Sequence, residues 1–520
     1  MALTRSIFRH TAIYSAATIF GKLAGFLMLP FYAHIFQAEG YGVIAMIETT
    51  LGVLTILLAG GFQTAILRIY HEQKPELKPV TLGTGMRLIW GLGLALIALP
   101  FVFSVPLSRL VLGSAEYSPL ICLALLSFVV DVAGQSASTF LVIKERSVLY
   151  SFLGLMRLLL GLGLNIWLIV ILQVGLIGVF ISALITAVVS SLVFHVVAVR
   201  DHGFGFNREI AGQMLRFQLP LLPGDLVAFL GRQAERVLVR VLISLEGMGV
   251  LEMAYKFPPL MNLFITIPFQ RAWRTKSIEI AEEPMAPVVM GMMLTRYLFL
   301  MVFVGLVLAV TIPQALALMT PPEFWPAARI SRVEVVTTIF AGCSTFMNFG
   351  LLYRKQTKLI TYMKMTLTPF KIGLAFLLIS TWGLSGAAYS ALVIELVVLT
   401  WTSIKSQKLY PIVIEYQKLT LILTIAVGLF FLLYTNDYSN FGPAIYARDH
   451  LLPGGLDFLQ TTFLGSWKSG KLIHILRTKE EPFIAMTLNL LCCVSFLALW
   501  PLVWQREPER TEPVSVSADS

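Results

Sequence analysis

The chain has 520 residues, of which 57% are hydrophobic and 13% charged, and its formal net charge is +10. An ordinary soluble domain carries about 25% charged residues. The composition therefore excludes a soluble enzyme, a disulfide-rich secreted scaffold and a disordered chain, and it predicts an all-α protein that crosses a membrane many times.

The sequence predicts about fourteen membrane-spanning helices, because one span needs about 20 mostly apolar residues. The first apolar run follows Arg5 and Arg9 and is too long for a signal-peptide core, so we interpret it as an uncleaved helix. The predicted spans, in chain order, are 11–36, 42–66, 84–105, 118–143, 149–172, 175–199, 212–243, 248–270, 290–313, 331–353, 359–379, 383–404, 418–434 and 482–504.

Lysine and arginine are concentrated in alternate loops, which predicts the orientation of the helices. Short cytoplasmic loops are rich in these residues because positive segments resist translocation. With the N-terminus in the cytoplasm, the basic residues of the cytoplasmic loops are Arg68, Lys74, Lys78, Arg87, Lys144, Arg146, Arg200, Arg208, Arg216, Arg271, Arg274, Lys276, Arg354, Lys355, Lys358, Lys405, Lys408 and Lys418.

The first twelve predicted helices contain an internal repeat. Glu39-Gly-Tyr-Gly-Val43 returns 207 residues later as Glu246-Gly-Met-Gly-Val250, and Gly175-Leu-Ile-Gly178 returns 208 residues later as Gly383-Leu-Ser-Gly386. Each copy holds six helices, so the copies are parallel, and a substrate site is expected between them near the bilayer midplane. The predicted organisation is an N-lobe at 1–205, a C-lobe at 206–410, helices 13 and 14 within 411–505, and a polar tail at 506–520.

The segment 435–480 does not fit the charge pattern. It is predicted to lie outside, yet it carries Arg448, Lys468 and Lys471 among aromatic residues. An amphipathic helix on the outer membrane surface, an irregular loop, and a failure of 418–434 to span are all compatible with this composition.

Several cations lie within the predicted spans, where an unpaired charge costs about 3 kcal/mol or more. Such residues face a cavity or a partner, and a guanidinium is well suited to a phosphate. Arg232 and Arg236 share one helical face with Arg240. Snorkelling to the membrane surface and pairing with a neighbouring acid remain alternative explanations. The predicted substrate-binding cations within the spans are Lys22, Arg157, Arg232, Arg236 and Lys364.

Acids within the spans are candidates for ion coupling. Glu48, Asp131 and Asp225 could carry H⁺ or Na⁺, or they could pair with the cations. Asp225 follows Pro220 and Pro223, where a broken helix would free backbone carbonyls. The sequence has no metal-ligand spacing and no Walker A motif, so we expect no bound metal or other cofactor, only a coupling ion.

Several segments along the chain carry a family resemblance. They are Lys22-Leu-Ala-Gly-Phe-Leu-Met-Leu-Pro30, Glu39-Gly-Tyr-Gly-Val43, the stretch 61–70 that ends in Leu-Arg68-Ile-Tyr, Phe217-Gln-Leu-Pro220-Leu-Leu-Pro223, Ala234-Glu235-Arg236, Asn348-Phe-Gly350 and Trp382-Gly-Leu-Ser-Gly-Ala-Ala388. Over residues 5–410 the chain resembles bacterial polysaccharide-export flippases of the Wzx type, within the multidrug/oligosaccharidyl-lipid/polysaccharide exporter superfamily.

The resemblance implies a transporter, not an enzyme, with fourteen helices in two lobes around a central cavity. It implies alternating-access transport of undecaprenyl-pyrophosphate-linked oligosaccharide across the bacterial cytoplasmic membrane, with Lys22, Arg68 and Arg236 available to the pyrophosphate. The implied partners are membrane lipids, a polysaccharide polymerase and a chain-length regulator, with no nucleic acid.

Three other functions remain open at this point. A cation-coupled multidrug exporter of the same superfamily would favour an acidic, aromatic cavity, which the cations argue against. A peptidoglycan-precursor flippase would share the cationic site. A membrane glycosyltransferase or polymerase would need catalytic carboxylates, for which Asp437, Asp449 and Asp457 are available in the 435–480 segment.

Overall fold

A computed structural model provides the architecture. It describes residues 21, 25–26, 28–202, 205–435, 486–487, 489–490 and 493–504, and this part of the chain is folded into helices joined by short turns, with no β-strand. The predicted all-α class is therefore confirmed. Lys22, the segment 435–480 apart from its first residue, and the polar tail lie outside the described residues.

The helices follow the apolar runs of the sequence. They are α1 (Leu29–Ala59), α2 (Phe62–Glu72), α3 (Lys78–Val102), α4 (Ser104–Leu112), α5 (Ser118–Ile143), α6 (Ser147–Asn165), α7 (Leu176–His202), α8 (Arg208–Gln218), α9 (Leu222–Leu242), α10 (Leu245–Ala254), α11 (Ile267–Glu279), α12 (Ala286–Met319), α13 (Ala327–Met347), α14 (Phe349–Tyr353), α15 (Thr357–Trp382), α16 (Leu384–Leu409), α17 (Tyr416–Thr435) and α18 (Trp500–Val503). A π-helical turn at Ile166–Ile171 follows α6. Another, at Asn262–Thr266, precedes α11.

Nine helical segments of the described chain are long and apolar enough to cross a membrane, and the stretch Tyr416–Phe431 is a shorter apolar helix. None of the nine lies between α8 and α11, where the seventh and eighth spans were predicted. The helix α9 carries five charged residues, and the stretch after it is divided into short helical pieces. The polytopic architecture is confirmed, while the number fourteen stays a prediction.

Glycine and proline interrupt the helices. The break expected near Pro220 and Pro223 occurs between Gln218 and Leu222, because proline supplies no backbone N–H and clashes with the preceding turn. A second break, between α1 and α2, falls at Gly60 and Gly61, and Gly61 adopts a φ of 74°. The apolar run predicts one helix over 42–66, so this break is a new finding.

The described residues form two compact units. The first combines the chain up to residue 253 with 319–327 and 364–390, and the second combines 254–318, 328–363 and the chain from 391 onward. The lobe boundaries predicted from the repeat stay a prediction.

Within the first unit, the repeated glycine motifs cross each other at backbone contact. A Cβ on Gly42 would overlap the carbonyl of Leu245, and a Cβ on Gly249 would overlap the carbonyl of Ala38. Both glycines and both carbonyl residues are 207 positions apart, so the two contacts are equivalent under the repeat. The crossing therefore requires glycine in both copies of the motif.

The same offset recurs around this crossing. A Cβ on Gly40 would lie 3.4 Å from the Leu176 side chain, and one on Gly247 would lie 3.3 Å from the Leu384 side chain. Leu176 and Leu384 are 208 residues apart and follow glycines with φ of 78° and 60°. The packing of the first unit thus repeats with the sequence.

The short turn Pro322–Phe324 supports this crossing. The backbone of α1 departs from helical geometry at Gln37, whose φ is 54°, so the amide of Ala38 starts a new helical segment. The carboxylate of Glu323 accepts a hydrogen bond from that amide at 3.1 Å. The adjacent Phe324 is fully buried and packs edge-on against Tyr41, with ring centroids 5.9 Å apart.

In the second unit, the C-terminal segments pack on α12. Phe299 stacks on Phe496 with ring centroids 5.1 Å apart, and Ile422 and Ala426 of α17 belong to the same buried cluster. Apolar burial thus ties the appended helices to the ninth predicted span.

Replacing Gly42 or Gly249 by alanine is expected to destabilise the protein by about 1–3 kcal/mol, because the added Cβ would overlap a backbone carbonyl. Thermal unfolding of the purified protein in detergent measures the effect. Gly91→Ala is the matched control, since no atom lies within 4 Å of a Cβ at that position. Equal melting temperatures for the three variants would contradict the close crossing.

Candidate functional site

Three of the predicted functional residues lie around one cavity in the first unit. Arg157 of α6 forms an ion pair with Asp131 of α5, and both residues line a cavity of about 430 Å³ together with Glu48 of α1. The structure thus brings a predicted substrate-binding cation together with two predicted coupling acids.

Arg157 also lines a second cavity, of about 820 Å³, which shares several residues with the first. Its walls are mostly apolar and include Gly25 and Gly154, and Tyr32 and Tyr150 add hydroxyl groups. The guanidinium, with its side chain 35% exposed, is thus accessible from both cavities.

The smaller cavity is lined by unused hydrogen-bond acceptors. Gln135 donates to the Asp131 carboxylate at 2.8 Å, which adds to the ion pair with Arg157. The Asn165 Oδ1 and Thr186 Oγ1 atoms are buried and have no hydrogen-bond partner among the described residues. Since buried polar atoms are normally paired, these oxygens are suited to a bound water, ion or ligand.

A second polar cluster surrounds α9, which carries two consecutive charges. Arg236 forms an ion pair with Glu252 of α10, while Glu235 pairs with Lys371 of α15 at 2.9 Å. Glu235 and Glu252 are both buried. The two pairs therefore connect α9 to α10 and to α15, with Gly231 allowing α15 to approach closely.

The three arginines on α9 have different environments although they share one helical face. Arg240 donates to the carbonyl of Val111 at 3.1 Å in the last turn of α4, where a cation complements the helix dipole. Arg236 is paired within the bundle. Arg232 is exposed and has no partner among the described residues, so of the three it is the one available to an anionic ligand.

The remaining predicted residues lie elsewhere. Arg68 is exposed near the end of α2, pairs with Glu72 at 2.8 Å and lies over the Phe217 ring. Asp225 is exposed in the first turn of α9. Lys364 lies on α15 with its side chain outside the described part, and Lys22 is likewise undescribed.

The sequence analysis did not assign partners to these charges. Lys371 and Glu252 were visible as ionisable residues within apolar stretches, but their pairing depends on how each helix is rotated. The paired glycines at 60 and 61 were a usable signal for the break after α1, because adjacent glycines are strong helix breakers.

These observations define a polytopic membrane protein of the transporter class, since long apolar helices enclose cavities lined by paired charges. The chain belongs to the polysaccharide biosynthesis protein family, whose profile matches residues 7–274. The resemblance to polysaccharide-export flippases is thereby confirmed at the level of the family.

A curated relative is the succinoglycan biosynthesis transport protein ExoT of Rhizobium meliloti strain 1021. It is 25% identical over 247 residues, which is 46% of this chain and 47% of that protein. The chain thus aligns over about half the length of this relative.

Several solved structures share the fold. The lipid II flippase MurJ, in an inward closed conformation, matches with a TM-score of 0.69 at 14% identity over 94% of this chain and 99% of that chain. An inward-facing multidrug resistance MATE family transporter of the MOP superfamily matches with a TM-score of 0.53 at 17% identity over 75% and 95%. A MATE transporter of Vibrio cholerae gives 0.53 at 17% identity over 78% and 97%.

Removing one partner of the Glu235–Lys371 pair is expected to destabilise the protein by about 3–5 kcal/mol, because a buried charge is left without compensation. The variants Glu235→Gln and Lys371→Met test this, and the double variant is expected to recover most of the loss. Thermal unfolding in detergent completes the double-mutant cycle.

The exposed Arg68–Glu72 pair supplies the control, with an expected contribution of about 0–1 kcal/mol. Additive single-variant effects at Glu235 and Lys371 would show that the two side chains do not interact.

Proposed function

We propose that the protein flips undecaprenyl-pyrophosphate-linked oligosaccharide from the inner to the outer leaflet of the bacterial cytoplasmic membrane by alternating access. The observation that carries the proposal is an intramembrane arginine, Arg157, in the wall of a cavity of about 820 Å³. Membership of the polysaccharide biosynthesis family and the name of the aligned transport protein support it.

The chemistry of this substrate matches the charges of the site. A pyrophosphate carries several negative charges and accepts paired hydrogen bonds from a guanidinium. Arg157 and Arg232 are the described cations proposed to bind it, and Lys22 and Lys364 are proposed to assist. Tyrosine hydroxyls of the larger cavity would donate to the glycan, and the polyprenyl chain would remain in the bilayer.

The Asp131–Arg157 pair suggests how an ion gradient drives the cycle. In this arrangement Asp131 neutralises Arg157. Pyrophosphate and Asp131 would compete for the same guanidinium, so uptake of H⁺ or Na⁺ by Asp131 would change the affinity of Arg157 for the pyrophosphate. This linkage between ion and substrate is the requirement for coupling.

The proposed location is the cytoplasmic membrane with the N-terminus inside, as the Lys/Arg asymmetry predicts. The proposed partners are membrane lipids, a polysaccharide polymerase and a chain-length regulator.

A second candidate function is transport of a lipid-linked peptidoglycan precursor. The fold likeness to the lipid II flippase over 94% of this chain favours it. The two functions share the pyrophosphate and differ in the glycan, so a flipping assay with each lipid-linked substrate separates them.

Removing the charge of Arg232 is expected to slow flipping about tenfold or more, because a charge-assisted hydrogen bond contributes about 1.5–3 kcal/mol. The measurement uses proteoliposomes loaded with undecaprenyl-pyrophosphate-linked oligosaccharide and follows glycan access to an external glycosidase. Arg232→Lys should retain part of the rate. Arg109→Gln, which removes an exposed cation on α4, is the control, and equal rates for it and Arg232→Gln would refute the proposed role.

The variant Asp131→Asn is expected to remove the response of flipping to an imposed pH or Na⁺ gradient, because it cannot take up the coupling ion. The same proteoliposomes measure this response with and without each gradient. Glu145→Gln, at an exposed acid in the turn after α5, should respond like the wild type. A full gradient response in Asp131→Asn would assign coupling to another acid.

A further inference from the structure

Two helix breaks lie next to each other in the first unit. One separates α1 from α2 at Gly60 and Gly61. The other separates α8 from α9 between Gln218 and Leu222. Broken helices within a membrane transporter expose the carbonyl ends of one half-helix and the amide ends of another, and both can bind ions.

Gln218 links the two breaks. Its side-chain amide donates to the carbonyls of Leu57 and Leu58, at 3.2 and 3.4 Å, in the last turn of α1. Those carbonyls lack intrahelical partners because the helix ends there. The residue is 3% exposed, and these contacts fix the orientation of the amide, which leaves its Oε1 buried and without a hydrogen-bond partner among the described residues.

Asp225 lies at the same place. One of its carboxylate oxygens is 3.5 Å from the position that a Cβ on Gly60 would occupy. No hydrogen bond or ion pair links this carboxylate to the rest of the described chain. Arg232 is two helical turns further along α9, a rise of about 10 Å, which is too far for a direct ion pair.

The electrostatics between the end of α1 and the start of α9 favour a cation. The C-terminal end of α1 presents the negative end of its dipole. Asp225, in the first turn of α9, adds a carboxylate. A carboxylate, an amide oxygen without a partner among the described residues, and the carbonyls of a helix end are therefore neighbours of the end of α1, with a single formal negative charge.

The geometry points to a binding site for a monovalent alkali cation between the end of α1 and the start of α9. Its ligands are the Asp225 carboxylate, Gln218 Oε1 and carbonyl oxygens of the last turn of α1. One carboxylate with neutral oxygens balances one positive charge, whereas divalent Ca²⁺ sites recruit several carboxylates. The site stands on this geometry, and only its role as a coupling site rests on the proposed flippase function.

Binding of a cation here would hold the two breaks together. Gln218 and Asp225 flank the break before α9, and the carbonyl ligands belong to α1. An ion that bridges them stabilises the arrangement seen in this structure relative to one in which the broken helices straighten.

The test measures Na⁺ binding by the full-length protein in lipid nanodiscs. NaCl replaces choline chloride at constant ionic strength, and the readouts are binding of ²²Na⁺ and the melting temperature. The wild type is expected to bind Na⁺ and to melt at a higher temperature with rising Na⁺. Asp225→Asn is expected to weaken both responses, and the same comparison in an Asp131→Asn background removes any Na⁺ bound at Asp131.

Glu209→Gln is the matched control, because Glu209 is an exposed acid in the first turn of α8. It should keep both responses. Undiminished Na⁺ binding in Asp225→Asn would overturn the inference, as would a wild type whose melting temperature follows pH and ignores Na⁺. Asp225 is exposed, so its replacement is expected to leave folding intact, and the melting temperature in choline chloride checks this.

The two proposals fail separately. A wild type that binds no Na⁺ and yet flips lipid-linked oligosaccharide would refute the cation site alone. An intact Na⁺ response in a protein that flips no lipid-linked glycan would refute the proposed function alone.

Discussion

The energy of a charge inside a bilayer constrains this structure more than any other interaction. An ionisable group among apolar helices must find a counter-charge or a wet cavity. The pairs Arg157–Asp131, Arg236–Glu252 and Glu235–Lys371 each join different helices, so the positions of α5, α6, α9, α10 and α15 depend on them. The ion pairs thus help to fix how the helices pack. Lipid supplies no hydrophobic driving force for the association of apolar helix faces.

These pairs also divide the cations into structural and available ones. Arg240 caps α4 and Arg236 is neutralised, whereas Arg232 is exposed and Arg157, although paired with Asp131, also faces two cavities. A count of intramembrane cations therefore overstates the positive potential offered to a substrate. If the transport cycle replaced the ion-pair partner of one cation, the positive potential offered to a substrate would change. No charged residue would have to leave the membrane.

The class of fold and the positions of most helices followed from apolar length, and the break near Pro220 followed from proline chemistry. The partner of Arg236 did not follow, because Glu235 and Glu252 were both within reach and the choice depends on helix rotation. The break at Gly60 and the side-chain amide of Gln218 were missed for another reason. Their importance appears only when two segments distant in sequence are placed side by side.

The reciprocal contact of Gly42 with Leu245 and of Gly249 with Ala38 has an evolutionary consequence. Contacts related by an exchange of the two copies form an isologous interface, the kind found in two-fold symmetric dimers. A single six-helix ancestor carrying one such glycine motif would have made the same crossing between two separate chains. Duplication and fusion then turned a dimer interface into an internal one, after which each copy was free to acquire its own charges.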